Sequence, residues 1–94
     1  MFDAIVTQRV KPGKEAEVEA LLKQAAASTL ANDAGCIRWE WYRSDQPSTY
    51  ILIERWTERD AARAHLKAPH MVEFFRLAEP CVEERFTVTV LSPL

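Results

Sequence analysis

The chain has 94 residues, of which 48% are hydrophobic, 28% charged and 10% aromatic, the dimensions of a single globular domain over residues 1–94. Its 12 Lys+Arg and 14 Asp+Glu are interspersed and sum to −2, so no basic patch is offered to a phosphate backbone and nucleic acid is not expected as a partner. No apolar run approaches the roughly 20 residues of a membrane span, and Met1-Phe2-Asp3-Ala4-Ile5-Val6 lacks the basic region of a signal peptide, which gives a cytoplasmic expectation with no membrane contact.

Phe2 to Val10 is rich in β-branched and apolar residues and is broken by Lys11-Pro12-Gly13, so it reads as the first strand. From Lys14 to about Ala31, Val18, Leu21, Leu22, Ala25 and Thr29 recur at helical spacing, and Asn32-Asp33-Ala34-Gly35 stops the helix with Gly35 in a left-handed conformation. Cys36 to Arg43 and Thr49 to Trp56 are β-rich runs joined by Ser44-Asp45-Gln46-Pro47-Ser48, which predicts an antiparallel hairpin. Thr57 and Asp60 suggest a capping box opening a short helix from Glu58 to Lys67. After Pro69, an apolar face of Met71, Val72, Phe74, Phe75 and Ala78 predicts a further helix ending before Pro80, and the alternation from Val82 to Leu91 predicts the last strand. The resulting order, βαββααβ, is an α+β ferredoxin-like antiparallel sheet with helices on one face.

By residue parity, one face of the hairpin carries Ile37, Trp39, Trp41, Ile51 and Ile53, and the other Cys36, Tyr42, Tyr50, Leu52 and Trp56. Helices cover only one such face, so a second copy of the chain is expected on the other, in an isologous homodimer.

Chemistry-bearing residues are few. Cys36 and Cys81 form no disulfide framework or CxxC pair and are expected to be reduced, with Cys36 more readily a small buried residue than a nucleophile. Gly13 and Gly35 are too few for a phosphate-binding glycine loop. His65, one turn beyond Ala61, reads either as a general base on a pocket wall or as a helix histidine facing water or a carbonyl. His70 follows Pro69 at a spacing that does not place it on one helical face with His65. A two-His, one-carboxylate site completed by Glu54 or Glu73 is therefore a minor reading, and no metal is expected. Glu54 interrupts an apolar strand and calls for a partner, for which Arg38 on the paired strand is the candidate. Trp39, Trp41 and Trp56 read as core or interface anchors, or as pocket lining for a flat ring.

The runs Val10-Lys11-Pro12-Gly13-Lys14, Gly35-Cys36, Ile51-Leu52-Ile53-Glu54-Arg55-Trp56, Ala64-His65-Leu66 and Ala68-Pro69-His70-Met71 resemble, in that order and spacing, the antibiotic biosynthesis monooxygenase family. The branch they resemble most is the small bacterial quinol monooxygenases. The resemblance implies a dimeric α+β barrel and oxygenation of a small electron-rich aromatic by O₂ without metal, flavin or haem. It places His65 at a pocket-facing position that holds Trp in some antibiotic-pathway members. The haem-degrading branch, by comparison, has an Asn, a Trp and a haem-ligating His where this chain has Gln8, His65 and Phe75, so haem is not implied. The expected site is therefore His65 as base, with Trp56, His70, Phe74 and Glu54 around the substrate. The rival expectations are an isomerase or breakdown enzyme for a small phosphorylated signal molecule, whose pocket should carry surplus cations, and a non-catalytic dimeric ligand-binding domain.

Overall fold

In the computed structural model, which describes residues 1–94, strand β1 (Phe2–Arg9) alternates as its sequence requires, turning Ala4, Val6 and Gln8 inward. Gly13, at φ +91°, redirects the chain into helix α1 (Glu15–Asn32). Glu15 fixes that junction by accepting the Gly13 N–H at 2.7 Å and the Ser48 hydroxyl at 2.5 Å. Helix α1 buries Val18, Leu22, Ala25 and Thr29, one stripe at helical spacing. Strands β2 (Cys36–Arg43) and β3 (Thr49–Trp56) form the hairpin, followed by α2 (Arg59–Leu66), α3 (Pro69–Ala78), a 3-10 turn at Glu79–Cys81 and β4 (Thr87–Leu91). The sheet is antiparallel throughout, in the order β2-β3-β1-β4, the expected α+β ferredoxin-like arrangement. Its core joins Val6, Leu52, Trp39 and Trp56 from the sheet to Ala25 of α1 and Met71 of α3. Glu19 ties α1 to the hairpin, accepting from Arg43 at 2.8 Å and from the Tyr50 hydroxyl at 2.7 Å, and these two bonds hold its pKa down to about 2.

Four sequence expectations are corrected. First, the hairpin closes with Arg43 opposite Tyr50, so Trp41 faces Leu52 and Trp39 faces Glu54. The two tryptophans therefore share the helix-covered face with Leu52 and Trp56, not a face with Ile51 and Ile53. The reason is loop parity: Thr49 belongs to β3 and pairs with Arg9 of β1 but has no partner on β2, which shifts the hairpin register by one, and a shift of one exchanges faces. Second, β4 begins at Thr87. The segment before it meets the end of β1 through isolated bonds, Glu83 N–H to the Arg9 carbonyl at 2.9 Å and the Gln8 side-chain amide to the Glu84 carbonyl at 2.9 Å. Third, α2 has Glu58 at its N-cap with no side-chain cap, so Thr57 and Asp60 form no capping box. Thr57 instead donates its backbone N–H to the Gly35 carbonyl at 2.8 Å. Fourth, Arg38 does not pair with Glu54; it lies opposite Arg55 and binds Glu40 and the Tyr42 hydroxyl.

The face of the sheet away from the helices carries Ile5, Tyr42, Ile51 and Ile53 among Thr7, Thr87 and Thr89, with an Asp3–Arg55 ion pair at 2.6 Å. No element of the chain lies over it.

Gly35 is the tightest point in the fold. It holds φ +83°, and a Cβ there would stand 2.6 Å from Thr57 Oγ1 and 2.9 Å from Ala61 Cβ, whereas one at Gly13 would meet nothing within 4 Å. In urea denaturation, Gly13→Ala is expected to lose about 1 kcal/mol from left-handed backbone alone, and Gly35→Ala about 2–4 kcal/mol from backbone and overlap together. Equal losses would show that Thr57 and Ala61 yield to the methyl without cost.

Candidate functional site

Between the helix-covered face of the sheet and α2 and α3 lies a cavity of about 380 Å³, walled largely by apolar groups that include Phe2, Trp39, Trp41, Phe74, Phe75 and Phe86. Its far wall is the segment before β4, where Phe86 stacks on Phe75 with centroids 5.9 Å apart. A wider hollow of about 700 Å³ on the other side of the sheet is bordered by Asp3, Arg38, Glu40 and Arg55, already engaged with one another, and contains no histidine.

His65 enters the cavity wall from α2 and is only 4% exposed. Its ring packs against Trp56 at 4.8 Å and Trp39 at 5.3 Å between centroids. Its Nδ1 lies 2.5 Å from Asp33 Oδ2, and the same oxygen lies 3.0 Å from His70 Nε2. A carboxylate only accepts, so the neutral His65 ring carries its hydrogen on Nδ1 and its lone pair on Nε2. Burial pushes the His65 pKa below the ordinary imidazole value and outweighs the opposing pull of Asp33. The ring is thus a neutral imidazole at neutral pH, oriented by a carboxylate and set among aromatic groups, which is the state a general base requires.

The other expected site residues divide into two groups. Phe74 and Glu54 line the cavity with His65, whereas Trp56 and His70 do not reach it. Trp56 is fully buried behind His65, and His70 meets Asp33 from α3. Glu54 Oε1 accepts the Trp56 Nε1 hydrogen at 2.6 Å; burial raises the Glu54 pKa and this bond opposes the rise. Cys36 is half-buried and its thiol is pushed up to about 11, by burial first and then by Asp33 and Glu54, so it is a poor nucleophile. Cys36 and Cys81 are both free. The indole N–H groups of Trp39 and Trp41, in the cavity wall, have no acceptor.

Asp33 is the member of the site that sequence reasoning missed. It falls in the turn after α1, where Asn32-Asp33-Ala34-Gly35 has the composition of a helix stop, and it meets His65 across 32 positions of chain. The available signal was a carboxylate two positions before a glycine that pins the turn against α2.

The family model for antibiotic biosynthesis monooxygenases matches residues 1–77. The chain belongs to that family. A Mycobacterium tuberculosis protein, Rv0793, named as a monooxygenase candidate, is 30% identical over 84 residues, covering 89% of this chain and 82% of that protein. The solved structure of Rv0793 superposes with a TM-score of 0.89 at 27% identity, covering 99% of this chain and 94% of that one. An antibiotic biosynthesis monooxygenase candidate from Nitrosomonas europaea gives a TM-score of 0.92 at 21% identity, covering 100% and 99% of the two chains, and so shares the fold.

The raised pKa of Glu54 has a stability consequence. A carboxyl whose pKa is higher folded than unfolded holds its proton better in the native state, so native stability declines as pH rises through the carboxylate range. Glu54→Gln removes that penalty and keeps a carbonyl oxygen for Trp56. It is expected to be more stable than wild type at pH 7 in chemical denaturation, with the advantage gone by pH 3. A variant less stable than wild type at both values would show that the carboxylate itself is needed.

Proposed function

We propose that the chain is a monooxygenase that inserts one atom of O₂ into a small electron-rich aromatic of the quinol type, without a cofactor. The observation that carries this reading is the buried His65, held in one tautomer by Asp33 in the wall of an aromatic-lined cavity. Family membership supports the monooxygenase class. Nε2 of His65 takes the phenolic proton, and the resulting electron-rich ring gives an electron to O₂ directly. One oxygen atom enters the ring and the other leaves as water, with the quinol supplying both electrons and both protons for that water. The apolar wall of Phe74 and its neighbours excludes bulk water. A substrate oxygen seated there supplies the acceptor that the Trp39 and Trp41 indoles lack.

The cavity wall weighs against a phosphorylated substrate. Arg59, Arg63 and Arg85 are balanced in it by Glu54, Glu79 and Glu84, leaving no surplus of cations for a dianion. A homodimer through the uncovered sheet face completes the proposal, because Ile5, Ile51 and Ile53 lie there with no element of the chain to bury them.

Three measurements test this. Oxygen uptake with a hydroquinone is expected for wild type, and His65→Gln should lower kcat by about 10²–10⁴-fold with little change in melting temperature. Normal turnover in that variant would overturn the assignment of the base, and binding without oxygen uptake in wild type would leave a binding domain. The acid limb of the wild-type pH profile should fall below about 6.5, the unperturbed imidazole value, because the neutral ring is the active form and burial extends it to lower pH. Finally, Ile53→Glu should sediment as a monomer at micromolar concentration, whereas an unchanged dimer would place the interface elsewhere.

A further inference from the structure

Asp33, His65 and His70 place three ligand-type atoms from three separate elements within 4.8 Å of one another. They are a carboxylate oxygen, an imidazole Nδ1 and an imidazole Nε2, directed at one point rather than spread along a surface. We propose that this cluster is an inhibitory binding site for a borderline divalent transition ion such as Zn²⁺. The inhibitory part of the inference rests on His65 acting as the base.

The donor set suits such an ion. Two imidazoles and one carboxylate are a common three-ligand set for Zn²⁺, and its bonds of about 2.0–2.2 Å need donor atoms roughly 3.3–3.5 Å apart. The two existing contacts, 2.5 and 3.0 Å, open to that separation and the imidazole pair, within 4.8 Å, closes to it, with displacements on the order of 1 Å. The side chains are 9% exposed at Asp33 and 20% at His70, so the ion has a route from solvent that avoids the substrate cavity, which His70 does not line.

Occupancy and base catalysis exclude each other through the tautomer of His65. Without metal, Nδ1 carries the hydrogen and donates it to Asp33, leaving the Nε2 lone pair free to take a proton. Coordination uses the Nδ1 lone pair instead, so the hydrogen of the neutral ring must move to Nε2. The ring then has no site for a substrate proton. The ion inhibits without entering the cavity, and raising substrate concentration does not displace it.

Chelator-stripped wild-type protein is titrated with Co²⁺, then Zn²⁺, while long-range ¹H–¹⁵N spectra follow the imidazole nitrogens. The expected result is one Co²⁺ per chain with the visible absorption of a four-coordinate ion, displaced by Zn²⁺, and passage of His65 from the Nδ1–H to the Nε2–H tautomer. His70→Gln removes a ligand and should weaken Co²⁺ binding at least tenfold. Its oxygen-dependent turnover, relative to its own metal-free rate, should resist Zn²⁺ by a similar factor. Absence of Co²⁺ absorption up to millimolar metal, with no change in the wild-type histidine spectra, would overturn the site whether or not the variant folds, and would leave His65 as base untouched. A metal-bound protein with the Nε2–H tautomer and undiminished turnover would instead overturn His65 as the base.

Discussion

One carboxylate oxygen organises the active region of this fold. Asp33 stands at the end of α1, and its bonds to His65 and His70 tie α2 and α3 to the turn that leads into β2. Three elements that pack against the sheet by apolar contact could each slide by a fraction of a turn at modest cost. The shared acceptor removes that freedom, because two imidazoles can meet one oxygen in only a narrow set of placements. The same bonds set the tautomer of His65 in the wall of the aromatic cavity, so the geometry that fixes the helices also fixes which ring nitrogen is free. Gly35 makes this arrangement feasible: its missing side chain lets the turn lie directly against Thr57 and Ala61, bringing Asp33 within reach of α2.

The large-scale architecture was legible because its signals are redundant. Periodicity, turn residues and the prolines at 69 and 80 agree on the order of elements, and any one of them could fail without changing it. Register had no such support. Whether Thr49 pairs across the hairpin or only with β1 reverses which residues Trp39 and Trp41 accompany, and local propensity is silent on a β-branched residue at that boundary. The proposed Arg38–Glu54 pair failed for the same reason, since it presumed a common face that the register denies.

His65 was visible as a candidate because a histidine among small residues on a short helix is conspicuous. Its partner was hidden by chemistry: aspartate is at home in turns for local reasons, so its presence after α1 carried no excess information. His70 illustrates the converse. Sequence placed it at the pocket, at a spacing that set it off the helical face of His65, but it bonds to Asp33 and serves the site from behind rather than from within the cavity.

The segment preceding β4 gives the cavity an uneven construction. Most of the wall is built from a paired sheet and its three helices, where a change of volume propagates into register or helix packing. The remaining side, carrying Val82, Glu84 and Phe86, is attached by a few isolated backbone and side-chain bonds and lies outside the ladder. Its side chains can change size or polarity without moving a strand or disturbing the histidine cluster. The part of the cavity wall most open to change is therefore mechanically separate from the histidine cluster.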